Sequence, residues 1–343
     1  MINFLSKQLH FFRKFRLPNG LIALILLFTL SLLGSFGVNQ EYAVSQAAKP
    51  EVVRIDYAYY NPVSLVLKQK GWLEESLKKD NIKVEWVLSQ GSNKALEFLN
   101  ARSLDFGSTA GAAALIGKAN GNPIQSIYVF SKPEWAALVV KKGSPIKSVK
   151  DLKGKKIAAT KGTDPYIFLL RALDKFGLSP KDMEIVLLQH ADGRAALEKG
   201  DVDAWAGLDP HMAKTEVEND SRLFFREPNF NSYGVLNVRE EFSQKYPNTV
   251  KKVLVAYEKA RKWSVQNKAQ LQDVLEKESK LSPAVAAKQL ERTNLKDSRI
   301  GDAQKKVIIA SGNVLKKSGV IPNSVDVPKT TNSLINPQYR NSI

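Results

Sequence analysis

The chain has 343 residues, 43% of them hydrophobic and 25% charged, a globular composition with room for two lobes; one small domain, a disordered chain and a polytopic membrane protein are excluded. Lys and Arg outnumber Asp and Glu by 51 to 34, a formal net charge of +17, but the lysines are scattered in pairs such as Lys78-Lys79 and Lys251-Lys252 without interleaved aromatics, so no nucleic-acid partner is expected. Cysteine is absent, which removes disulfides, thiolate metal sites, a cysteine nucleophile and a lipid-bearing cysteine.

Lys7, Arg13, Lys14 and Arg16 precede the apolar run Leu21–Leu33, and small residues follow to Ala48, the order of a secretory signal. A signal peptide is expected over 1–45, cut among Ala43, Ser45 and Ala48; extending the apolar run to Val38 leaves a retained membrane anchor as the alternative. The leader carries four basic residues and one acidic, so the remainder stays near +14.

From Val52 to about Arg226 the sequence alternates short β-branched or aromatic runs with amphipathic helical stretches. Strands are predicted at Val52–Tyr57, Lys83–Leu88, Leu104–Gly107, Lys155–Thr160, Glu184–Leu188 and Asp203–Ala206. Helix starts follow at Asn61-Pro62, Ser92-Asn93, Ser108-Thr109, Thr163-Asp164-Pro165, Asp192 and Asp209-Pro210, all capping chemistry. The alternation predicts an α/β fold with mostly parallel sheets flanked by helices. After Phe225 the remainder is helical to about Ser318, and the Pro-, Asn- and Ser-rich segment from Ile321 to Ile343 is expected to be an extended tail. Two apolar strands, Trp135–Lys141 and Tyr233–Arg239, are candidate hinge crossings. They divide the chain into lobe one (50–137 and 238–330), lobe two (138–237) and a tail (331–343), with a ligand cleft between the lobes.

In parallel sheets the strand ends face the ligand crevice, and the helix starts beyond them present unpaired N–H groups suited to an oxyanion. Ser108, Thr109 and Ala110 on one turn, and Gly162, Thr163 and Asp164 on another, are the candidates, although each turn also reads as an ordinary cap. Asp164 and Asp209 would repel an anion or hold a cationic amine, and Asp209 ahead of Pro210 equally serves as an N-cap. Tyr57, Tyr59, Tyr60 and Trp205 lie at strand ends, where aromatics either wall a cleft or fill the core. Outside the leader only His190 and His211 remain, without metal-ligand spacing, and His190 beside Asp192 reads as surface polar structure. With no HExxH, GxSxG, P-loop or GxGxxG pattern, a binding protein without metal or cofactor is expected rather than an enzyme.

Three stretches, Ser103–Thr109, Asp151–Ala158 with Lys161-Gly162-Thr163, and Gly200–Trp205 with Asp209-Pro210, together resemble the signature of the aliphatic sulfonate-binding family, the solute-binding components of ATP-binding-cassette importers. The resemblance implies a two-lobed type II periplasmic-binding-protein fold, a periplasmic location, and delivery of a small organic anion to a permease and its ATPase. It places ligand contacts at Tyr57, Tyr59 and Asn61 after the first strand, at Ser108, Thr109 and Ala110, at Gly162, Thr163 and Asp164, and at Trp205 and Asp209. Many relatives carry a Tyr-Gln-Lys type segment where this chain has Tyr57-Ala58-Tyr59-Tyr60-Asn61-Pro62. Fewer donors there set taurine, an aromatic sulfonate or nitrate beside a plain alkanesulfonate. The related pyrimidine synthases use a cysteine-rich motif that this chain lacks. A monomer is expected, since one clamshell presents its cleft to the permease; a membrane-tethered solute sensor is the alternative role.

Overall fold

A computed structural model of the chain describes residues 48–339 and residue 341; the leader expected at 1–45 lies outside the described residues. The first strand, Val52–Tyr57 (β1), is followed by Pro62–Lys70 (α1), which begins where the Asn61 side chain accepts from the Ser64 amide and ends at Gly71, whose φ of +64° is a left-handed cap. Trp72–Lys78 (α2), Lys83–Leu88 (β2), Ser92–Asn100 (α3), Phe106–Ala110 (β3), Gly111–Ala119 (α4) and Ile124–Pro133 (β4) continue the first lobe. The second lobe runs through Ala136–Val140 (β5), Lys156–Ala159 (β6), Asp164–Lys175 (α5), Glu184–Leu187 (β7), His190–Lys199 (α6), Ala204–Leu208 (β8), His211–Asn219 (α7) and Arg222–Phe225 (β9). Gly234–Arg239 (β10) then returns to the first sheet, and Glu240–Lys245 (α8), Pro247–Gln266 (α9), Lys268–Ser279 (α10), Pro283–Glu291 (α11), Thr293–Asn294 (β11), Asp302–Lys317 (α12) and Val327–Leu334 (α13) complete the chain.

The first sheet has the order β11-β4-β10-β3-β1-β2 and the second β7-β6-β8-β5-β9. Both are mixed rather than mostly parallel. Pairs built by strand–helix–strand units, β1 with β2 and β3, and β6 with β7 and β8, are parallel. β5 and β10 are each antiparallel to both of their neighbours. Direction follows connectivity here: a strand that arrives from the other lobe carries no crossover helix to set it parallel.

The chain leaves the first sheet after Pro133 and regains it at Gly234, and the two connections are clasped together. Asn231 Oδ1 accepts from the Ala136 amide at 2.8 Å, while Asp164 accepts from Trp135 Nε1 (2.8 Å), the Ser232 amide (2.9 Å) and Ser232 Oγ (2.8 Å). Every acceptor position of Asp164 facing the connections is thereby filled. In the first lobe, α9 buries the stripe Val250, Val253, Leu254, Tyr257, Ala260 and Ser264 at helical spacing. That stripe carries Tyr257 beneath the turn after β1.

The C-terminal segment departs from the expected extended tail. Asp326 accepts from the Lys329 amide at 2.9 Å, Pro328 occupies the first turn of α13, and Val327, Thr331 and Leu334 are buried on one face. A capped start and a four-residue apolar period suffice for a helix despite the Pro and Asn content. Beyond it Ile335 bridges to Ser126 and Tyr339 is buried.

Candidate functional site

A cavity of about 310 Å³ is lined by Tyr59, Tyr60 and Leu88–Gln90 from the first lobe and by Gln189–Asp192 and Leu208–His211 from the second. Helices α6 and α7 start on its wall, and the turn leading into α3 faces them. In α6 the first helical bond runs from the Gly193 amide to the Gln189 carbonyl, so the amides of His190, Ala191 and Asp192 have no helical acceptor. In α7 the Lys214 amide reaches the Pro210 carbonyl, which leaves His211 and Met212 in the same position. Neither helix has a side-chain cap from its N-cap residue. The free amides of both helix starts therefore lie at one space, beside the carboxyl groups of Asp192 and Asp209, and among the described residues no Lys or Arg lines it.

Asp209 is the most constrained group in the wall. Its Oδ1 accepts from the Ala213 amide (2.9 Å) and from Arg292 Nη2 (3.0 Å), while its Oδ2 is buried without a protein partner. The carboxylate caps α7, as expected of a residue ahead of Pro210, and Asp209 is part of the cavity lining. Arg292 ends α11 in the first lobe and reaches Glu216 of α7 at 2.6 Å, so it ties the two lobes across the cavity's edge. Burial raises the Asp209 carboxyl to about 7, against the opposing pull of Arg292 and the Ala213 amide.

His190 is 1% exposed and not surface structure. Its Nδ1 lies 3.1 Å from Thr160 Oγ1, and that hydroxyl gives its one proton to the Leu188 carbonyl at 2.7 Å. The Nδ1 therefore carries the proton and donates, which leaves Nε2 as a buried lone pair without a protein partner. Burial, and secondarily His211, hold the imidazole neutral by lowering it to about 3. The interlobe approach is close here: a Cβ placed on Gly91 would lie 3.0 Å from His190 Nε2 and 2.7 Å from Asn93 Oδ1.

Of the aromatic and ligand-contact candidates singled out in the sequence, Tyr59, Tyr60 and Asp209 line this cavity. Thr163 and Asp164 line a smaller adjoining void with Tyr60, Ser92, Trp135 and Leu208. Thr163 Oγ1 donates to the Thr160 carbonyl at 2.6 Å, and Asp164 is committed to the connections between the lobes. Tyr57, Asn61, Ser108, Thr109, Ala110, Gly162 and Trp205 line neither space. Ser108 donates through both its amide and Oγ to Asp56 Oδ1 (2.8 and 2.9 Å) and accepts from Asn61 Nδ2 (2.8 Å), while Tyr257 OH takes a second Asn61 proton. Thr109 accepts from Asn237 Nδ2, and the Ala110 amide donates to Ser92 Oγ. Gly162 turns the chain at φ +79°. Trp205 is wholly buried in the second lobe, where a Cβ on Gly193 would meet its Nε1 at 2.7 Å; it backs α6 from behind instead of touching the cavity. Sequence reading missed Arg292, Gln189 and the cavity role of His190. For Gln189 and His190 the available signal was Asp192, which falls in the first turn of the helix whose start carries them; Arg292 had none.

A model of the family described as NMT1/THI5 like matches residues 63–270, more than half of the chain. The chain belongs to the NMT1/THI5-like family. Within that similarity, a protein of Bacillus subtilis (strain 168) assigned as an aliphatic sulfonates-binding protein is 29% identical over 315 residues, 91% of this chain and 93% of its own length. A protein of Escherichia coli (strain K12) with the same assignment is 34% identical over 206 residues, 60% of this chain and 64% of its own. The solved alkanesulfonate-binding protein from Xanthomonas axonopodis pv. citri bound to MOPS superposes with a TM-score of 0.76 at 28% identity, covering 83% of this chain and 99% of that one. This NMT1/THI5-like chain therefore has the two-lobed α/β fold of periplasmic binding proteins.

Proposed function

We propose that the protein is the solute-binding component of an ATP-binding-cassette importer, a binding protein and not an enzyme, which captures a small organic anion, foremost an aliphatic sulfonate, and presents it to a permease and its ATPase. The observation that carries this reading is the convergence of the α6 and α7 starts on one interlobe cavity, because unpaired amides at two helix ends suit an oxyanion without a counter-ion. The sulfonate-binding relatives named above support the ligand class, and the signal-like leader supports export to the periplasm.

A thermal-shift screen of the protein, refolded free of carried-over solute, against alkanesulfonates, taurine, aromatic sulfonates, nitrate and sulfate tests the reading. Sulfonates are expected to stabilise by about 2.7 kcal/mol at a hundredfold excess over Kd. Stabilisation by nitrate or sulfate alone would move the solute class, and no response to any anion would overturn the reading.

A further inference from the structure

A second cavity, of about 640 Å³, lies in the first lobe where the end of α9, the start of α10 and the segment after α11 meet, and it shares no lining residue with the interlobe cavity. Val265, Leu271, Leu290 and Leu295 give it an apolar lining, and Lys268 and Lys296 are its cations. From this lining we propose a second binding site, one that takes an amphiphilic anion: an unbranched alkyl chain with a single anionic head.

The wall is preformed. Arg261, 2.7 Å from Glu258, donates to the carbonyls of Leu295 and Lys296 and so fixes the segment that carries Leu295. Pairing of Thr293 and Asn294 with Pro133 and Lys132 holds the preceding residues on the end of β4. The polar groups of the lining are mostly spent within the protein. Ser264 Oγ donates to the Ala260 carbonyl (2.7 Å), Thr293 Oγ1 donates to the Gln289 carbonyl (2.9 Å), and Asn294 Oδ1 accepts from the Lys296 amide (3.0 Å). Glu291, the carboxylate of the lining, lies 3.2 Å from Lys288 and is balanced there. Among the described residues, Lys268 and Lys296 have no such carboxylate partner.

The lining is left with apolar area and two ammonium groups to offer. A small inorganic anion would be held weakly by exposed lysines in water, and a cationic amphiphile would be repelled by them. An alkyl chain gains with each methylene it buries, and Val265, 37% exposed, is surface that such a chain would cover. The lysine stems can lie along the chain while their ammonium groups meet the head. The volume is that of an ordinary small-molecule site.

The test is isothermal titration of the protein with submicellar decanoate, octanoate and decyltrimethylammonium. Decanoate is expected to bind one per chain, octanoate roughly tenfold more weakly for its two missing methylenes, and the cation without saturation. Lys268→Glu combined with Lys296→Glu, both at exposed positions, is expected to weaken decanoate at least tenfold. Decanoate should still bind with 1-propanesulfonate present in excess. Absence of saturable decanoate binding, equal binding of the cation, unchanged affinity in the double variant, or displacement by propanesulfonate would each overturn the proposal. If the double variant fails to fold, the chain-length and head-charge comparisons on the wild-type protein decide. Propanesulfonate that binds nowhere bears on the importer reading and leaves this site to those comparisons.

Discussion

Asp56 shows how much of the first lobe's polar interior is organised around one carboxylate. It is fully buried, with Ser108 donating twice to Oδ1, and burial raises it from 3.8 to about 6 despite those bonds. Because the folded value lies above the unfolded one, the folded chain holds this proton more firmly. Its contribution to stability is complete below about 3.8 and is lost as pH rises through about 6. The size of that loss is on the order of 3 kcal/mol. Asp56→Asn keeps an acceptor for Ser108 and removes the titration, so urea melts between pH 4 and 6 are expected to lose this slope. A variant with the wild-type slope would assign the pH dependence to other groups. Tyr60 extends the same network toward the cavity, donating to the Ser108 carbonyl at 2.8 Å and meeting Trp135 edge-on at 5.8 Å. The predicted site residues Ser108 and Asn61 therefore support the wall from one layer below it.

At the scale of elements, the turn from β2 into α3 and the start of α6 meet at Gly91, where φ is 175° and any residue fits the backbone. Only space is limiting. Gly91→Ala is expected to press on Asn93 and His190, with a cost of about 1–3 kcal/mol that falls on the closed arrangement, hence a ten- to hundredfold weaker solute affinity. The thermal midpoint without solute should change little. Calorimetry showing lost stability and unchanged affinity would place the strain inside one lobe. The elements themselves were largely legible: strand predictions such as Val52–Tyr57 and Lys83–Leu88 coincide with β1 and β2, because β-branched runs followed by caps are local signals. Strand direction was not, since β5 and β10 become antiparallel only through partners far away in sequence. Trp205 was misplaced for a related reason: alternation along β8 sends it to the opposite side from Leu208's wall, and no local feature says which side that is.

Across the whole molecule, polar side chains add ties between the lobes, among them Arg292 to Asp209 and Glu216, Arg171 to Ser311, and Lys317 to Asp174. Arg292 is 83 residues from Asp209 in sequence, which is why no motif announced it. Its guanidinium is buried between two carboxylates, and removing one partner of such a group costs about 3–5 kcal/mol. Arg292→Met is expected to spread the lobes without unfolding either, seen as a larger radius of gyration by small-angle scattering; an unchanged radius would show that other contacts suffice. The charge of the molecule and the charge of its cavity also tell different stories. The chain carries a net +17, yet among the described residues no Lys or Arg lines the cavity wall. Under the proposed function, the attraction that brings an anion in acts from the surface and is screened over ~8 Å at physiological salt, whereas the grip on its oxygens is assigned to neutral amides. Ionic strength thus governs how often solute arrives and hardly how long it stays, and the cargo can be surrendered downstream without parting a sulfonate from a lysine or arginine.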